Sequence, residues 1–185
     1  MPLWAWIVIA IAIVVVLALV GWAAARRRRT ATLRDRFGNE YDRVVQERGD
    51  RRAAEQELAA RRAHRESLDI HPLTSSAQRE YADRWKTTQA TFVDSPSLAV
   101  TEADVLVQSV MRDRGYPISD AKERMADVSV DHPEVMDHFR SAGRIAGRAR
   151  DGQATTEDLR QAMVHYRELF ARLLTDDESP ARRSA

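Results

Sequence analysis

The chain has 185 residues, enough for one modest folded domain and too short for two large ones. It has no cysteine, which excludes disulfides, thiolate metal sites and thiol nucleophiles. The formal net charge of +1 hides an asymmetry: residues 26–68 hold 13 bases against eight acids, residues 69–185 hold 16 against 20. Positive charge gathered beside one segment, not spread over a folded face, argues against nucleic acid as a partner.

From Leu3 to Ala25 no side chain is charged, and Arg26, Arg27, Arg28 and Arg29 follow at once. As a helix rising ~1.5 Å per residue, this stretch extends ~35 Å against a hydrocarbon core of ~30 Å. In lipid a lone segment satisfies its backbone only as a helix. Residues 1–25 are therefore expected to form a transmembrane anchor. A cleaved signal peptide is the competing reading, but no base precedes the apolar run, and the run exceeds the roughly 7–15 residues of a signal core. Trp4 and Trp6 stand near one end and Trp22 near the other, where indoles settle at headgroup level. Every flanking base is C-terminal, so the N-terminus is expected outside and the remainder in the cytoplasm, at the inner face of the cytoplasmic membrane. Together with Trp4, Trp6 and Trp22, the four arginines are the expected membrane-interface residues.

Residues 26–70 read as a basic helical arm. Gly38-Asn39 is a break, with Gly closing one helix and Asn capping the next. Residues 40–68 read as a long charged helix, weakened at Gly49 and supported by Glu47–Arg51 and Glu57–Arg61 pairs four apart. A stalk and a coiled-coil arm both remain open, although no heptad is sustained.

Residues 71–174 read as a bundle of four or five helices. After the linker around Pro72, Ser75 with Gln78 has capping-box spacing. The helix it opens carries Tyr81, Trp85, Thr88 and Phe92 on one face. Ser95-Pro96 opens the next, with Leu98, Ala103, Leu106, Val107, Val110 and Met111 as its stripe; Gly115 and Pro117 stop it. Ser119-Asp120 starts a short helix, Asp131-His132-Pro133 another, and Thr155 with Asp158 a last one reaching Leu173. Gly143 and Gly147 suggest close helix packing within the bundle. Residues 175–185 read as a disordered tail. With no sustained β-alternation, the fold class is all-α: an N-terminal transmembrane helix, a charged arm and a helical bundle.

The segments RFGNEYDRVVQERGDRRAAEQELAARR (36–62), REYADRWKTTQATFVDSPSLAVTEADVLVQSVMRDRGYP (79–117), DHPEVMDHFR (131–140) and TTEDLRQAMVHYRELF (155–170) resemble a family of uncharacterised bacterial single-span proteins, common in actinobacteria. The resemblance implies one helical domain behind an N-terminal anchor, and it transfers no activity and no site residue.

Chemistry-bearing patterns are sparse. His132, Glu134 and His138 fall within seven residues and offer imidazole and carboxylate to a divalent metal. Their spacing matches no metal signature, and acids beside Pro133 are explained by helix capping and the helix dipole. No serine sits in a glycine-flanked elbow, and no glycine-rich loop cradles phosphate. No cofactor is expected. The leading reading is a non-enzymatic, membrane-anchored interaction or adaptor module whose partners are the bilayer and another membrane-associated protein. Two alternatives stand beside it: a metal-dependent small enzyme or regulator using residues 131–138, and a juxtamembrane sensor of anionic lipid.

Overall fold

The computed structural model describes residues 3–117 and 120–175, with side chains from residue 13 onward. The side chains of Trp4 and Trp6, the helix-start residue Ser119 and the tail 176–185 lie outside the described residues. Among those described are eight α-helices, one 3-10 turn and no strand. The all-α class is thus what the chain adopts. Among the described residues no helix is long and apolar enough to cross a membrane.

The first helix, α1 (Leu3–Phe37), runs from the apolar stretch through the four arginines without a break. Gly38, at φ 49°, ends it. Residues 40–68 are two helices and not one: α2 (Asn39–Arg48) and α3 (Arg51–Ser67). Gly49 takes φ 65°, the left-handed conformation that closes α2, and its N–H donates to the Val45 carbonyl at 3.0 Å. Asp50 then caps α3, accepting from the backbone N–H of Arg52 (3.1 Å) and Ala53 (3.2 Å). The break separates the expected Glu47–Arg51 pair onto different helices. Glu47 pairs with Arg43 instead, and Arg51 with Glu55 at 3.2 Å.

Two compact units make up the chain, Met1–Leu58 and Ala59–Ala185. In the first, Leu33, Phe37, Tyr41, Val44, Ala54 and Leu58 are buried. Leu33 and Phe37 lie four apart on α1, and Tyr41 and Val44 three apart on α2, so each helix buries one face on either side of the Gly38 turn. By contrast, Ile13, Val14, Val15, Val16, Leu17, Leu19, Val20 and Trp22 are all at least half exposed.

The second unit holds α4 (Ser75–Asp94), α5 (Pro96–Asp113), α6 (Ala121–Asp131), the 3-10 turn Pro133–Val135, α7 (Met136–Arg150) and α8 (Thr156–Thr175). Helix α8 packs against both α5 and α7, and α4 packs against α5. Trp85 stacks on Phe170 with ring centroids 4.9 Å apart, at the centre of a core shared by α4, α5, α7 and α8. Polar pins cross the same interfaces. The Tyr166 hydroxyl donates to Asp104 (3.0 Å), Tyr81 to Asp113 (2.6 Å), and Arg114 Nη1 to the Leu173 carbonyl (2.8 Å). Burial, with the neighbouring Asp113 carboxylate, pushes the Tyr81 hydroxyl up to about 12.

Local sequence signals explain most boundaries. Thr74, one residue before the expected Ser75, caps α4 by accepting from the Ala77 N–H at 3.2 Å. Asp120 accepts from Lys122 N–H (2.8 Å) to open α6. The Thr155–Asp158 box forms reciprocally: the Asp158 N–H donates to Thr155 Oγ1 (3.1 Å), and the Thr155 N–H donates to Asp158 Oδ2 (2.8 Å). Leu98 departs from its expected stripe and is 51% exposed, because Ala99, Val100 and Ala103 take the buried face of α5.

Gly143 and Gly147 do not serve close packing: a Cβ added at either meets nothing within 4 Å. Gly143 is an exposed residue inside α7, so Gly143→Ala should stabilise the chain by about 0.5–1 kcal/mol through lost unfolded-state entropy. Thermal unfolding of the variant checks this, and a lower midpoint than wild type would contradict it.

Candidate functional site

The basic segment becomes a shaped surface because the chain doubles back. Turns at Gly38 and Gly49 return the start of α3 alongside the middle of α1 within the first unit. Between them lies a groove of about 500 Å³, lined by Trp22, Ala23, Arg26, Arg27, Thr30, Ala31 and Arg34 of α1 and by Arg51 and Glu55 of α3. Of the expected membrane-interface residues, Trp22, Arg26 and Arg27 line it, whereas Arg28 and Arg29 do not. Thr30, Arg34, Arg51 and Glu55 were not foreseen.

One carboxylate oxygen organises the polar wall. Glu55 Oε1 accepts from the Thr30 hydroxyl (2.7 Å), the Tyr41 hydroxyl (2.9 Å) and Arg51 Nε (3.2 Å). Burial tends to raise the Glu55 carboxyl, but these three donors outweigh it and hold it below the usual range. Glu55 thus stays an anion and locks α3 to α1. Arg34 donates to Asp42 (2.8 Å) and lies 5.6 Å from the Tyr41 ring centroid. Arg26 lies 5.6 Å from the Trp22 ring centroid. Among the described residues neither Arg26 nor Arg27 has a carboxylate partner. The groove is therefore cationic, with two guanidinium groups open to a ligand.

The second unit contains a buried polar cluster around α6. Asp127, Ser129, Asp131 and His132 are all nearly solvent-inaccessible. Asp131 receives Arg65 from α3 and the Tyr116 hydroxyl at 2.9 Å. Ser129 donates to the Ala126 carbonyl at 2.6 Å. Asp127 differs: neither carboxyl oxygen has a hydrogen-bond partner, and its nearest cationic candidate is His64 Nε2 at 3.7 Å. Burial pushes its carboxyl up, and Glu123 and Asp131 add to this against the opposing pull of His64 and Arg65.

The histidine and acid residues singled out for metal do not converge. His132 is buried, with Nδ1 3.9 Å from Glu134 Oε1, while Glu134 also accepts from Arg172 Nε at 2.8 Å. His138 faces α8 instead, its Nδ1 3.0 Å from His165 Nδ1. Burial, His138 and Arg144 all depress the His165 imidazole, which favours a neutral ring in that pair. Among the described residues no group of three His, Cys, Asp or Glu is placed to hold a metal.

A smaller groove of about 380 Å³ lies between α4 and α5, lined by Arg84, Thr87, Thr88, Thr101, Glu102, Val105 and Leu106. Val105 in its wall is 53% exposed; elsewhere on the same two helices Val93 and Leu98 are exposed too. No protein-family model, curated protein or solved structure matches the chain.

Proposed function

We propose that this chain is a membrane-anchored helical interaction module, with residues 3–25 threaded through the bilayer and the helical domain on the cytoplasmic side. One observation carries the reading. The apolar residues 13–22 of α1 are exposed all round the helix, and four arginines follow within the same helix. A helix apolar on every side needs an apolar surround, and lipid supplies it. Over residues 3–25, the twelve Leu, Ile and Val residues favour insertion by about 5 kcal/mol in sum.

Tethering raises the effective concentration of the domain near membrane-bound partners, which gives an anchor value without catalysis. The α4–α5 groove, with the exposed Val105 in its wall, is the surface best suited to a partner helix. Reporter fusions at both termini, with alkaline carbonate extraction of membranes, test the anchoring and its direction. The chain is expected to resist extraction, with the C-terminal reporter active in the cytoplasm. Release into the carbonate supernatant would remove the basis of the proposal. For the module itself, Val105→Glu should reduce by about tenfold the recovery of whatever protein co-purifies with the detergent-solubilised chain; undiminished recovery would exclude that surface.

A further inference from the structure

We propose that the groove between α1 and α3 is a binding site for the phosphodiester headgroup of an anionic phospholipid, an inference that rests on residues 3–25 spanning the bilayer. Depth is the first argument. Trp22 closes the apolar run, and Arg26 stands one turn beyond it, ~6 Å further along the helix, where headgroup phosphates lie. Charge is the second. Arg26 and Arg27 have no carboxylate partner among the described residues, and the groove's single carboxylate, Glu55, is already engaged by Thr30, Tyr41 and Arg51. A guanidinium offers parallel N–H donors that match two phosphate oxygens, so the open pair suits a phosphodiester better than a point anion.

Shape is the third argument, and it separates this site from plain basic attraction. A linear run of arginines responds only to total surface charge, within a Debye length. Here Arg51 arrives from a second helix and is held in the wall by its own bonds, Nε donating to the Tyr41 hydroxyl at 3.0 Å and to Glu55. Removing charge inside the groove should therefore matter more than removing equal charge beside it. Arg28 and Arg29 carry the same charge on the same helix without lining the groove, and they provide the control.

The experiment is native mass spectrometry of the full chain in mild detergent with added phosphatidylglycerol, phosphatidylcholine or inorganic phosphate. Wild type should retain phosphatidylglycerol in preference to phosphatidylcholine, at one molecule per chain. The double variant Arg26→Gln/Arg27→Gln should lose this retention by about tenfold, as expected for loss of charge-assisted bonds, and Arg51→Gln should weaken it as well. Arg28→Gln/Arg29→Gln should leave it unchanged. Equal loss in the two double variants, or no preference between the two lipids, overturns the proposal. Displacement of the lipid by inorganic phosphate at equal concentration also overturns it, and marks a site for soluble phosphate. Carbonate extraction of the same variants separates the two levels: a chain that stays in the membrane yet shows no lipid preference refutes the groove alone, and one that is extracted refutes the span.

Discussion

Gly115→Ala is expected to cost about 3 kcal/mol or more, lowering the unfolding midpoint of the full chain by roughly 10 °C. Gly115 sits at φ 94°, where a side chain is strained, and a Cβ there would lie 2.2 Å from the Asp69 carbonyl oxygen. That neighbour is backbone, so no rotamer change relieves the clash. The segment it belongs to is held in place from the other side, since the His71 N–H donates to the Arg114 carbonyl at 3.0 Å. Moving the 69–71 strand of chain away would break this bond and disturb Arg114 and Tyr116, both buried. Gly152 is the control. It too has positive φ, 68°, but a Cβ added there meets nothing within 4 Å, so Gly152→Ala should cost only about 1 kcal/mol. Thermal unfolding of the two variants in detergent checks the pair; equal losses would show that the contact with Asp69 contributes nothing.

Gly115 also marks how far the sequence reaches. As a helix stop beside Pro117 it was readable from α5 alone, but its close approach to Asp69 depends on a loop 46 positions earlier. The same division runs through the chain. Boundaries set by short-range chemistry were legible: Pro96 at the start of α5, Asp120 before α6, the Thr155–Asp158 box before α8. So were Tyr81, Trp85 and Thr88 as one buried face of α4. The two-helix break at Gly49 is only half legible, because the charged periodicity on either side continues without a change of phase. Only the left-handed backbone at Gly49 and the Asp50 cap show that the chain turns there.

The candidate groove was half legible for the same reason. Trp22 and the arginines declare themselves by position at the end of an apolar run. Thr30, Arg51 and Glu55 become its neighbours only through the two glycine turns, and an Arg51–Glu55 spacing on a charged helix looks like any other surface pair. The cluster around α6 was not legible at all. Asp131 reads from the sequence as the start of the helix at Pro133, yet it ends α6, whose last turn is covered on every side, from Asp127 through Asp131. Asp131 finds Arg65, 66 positions away in sequence, and nothing local predicts such a partner. The hydrophobic pattern identifies which side of a helix is apolar; it does not say that the polar side is wet.

Asp127 carries the other large expected effect. Its side chain is 1% exposed and its carboxyl oxygens have no hydrogen-bond donor, so the ionised form is disfavoured in the fold relative to the unfolded chain. A carboxyl whose native pKa is raised binds its proton more tightly when folded. Its favourable contribution is complete below the unfolded carboxylate value and is lost as pH rises through the raised native value. Above that window wild type carries the cost of a buried, poorly compensated charge. Asp127→Asn keeps the shape and removes the charge, and should raise stability at pH 8 by about 1–2 kcal/mol, a few degrees in midpoint. The advantage should shrink as pH falls toward the ordinary carboxylate range and vanish or reverse below it, where wild type is neutral too. Unfolding midpoints of both chains across that range decide the matter. A variant less stable than wild type at pH 8, with a difference that does not change with pH, would show that His64 at 3.7 Å and Arg65 already compensate the carboxylate.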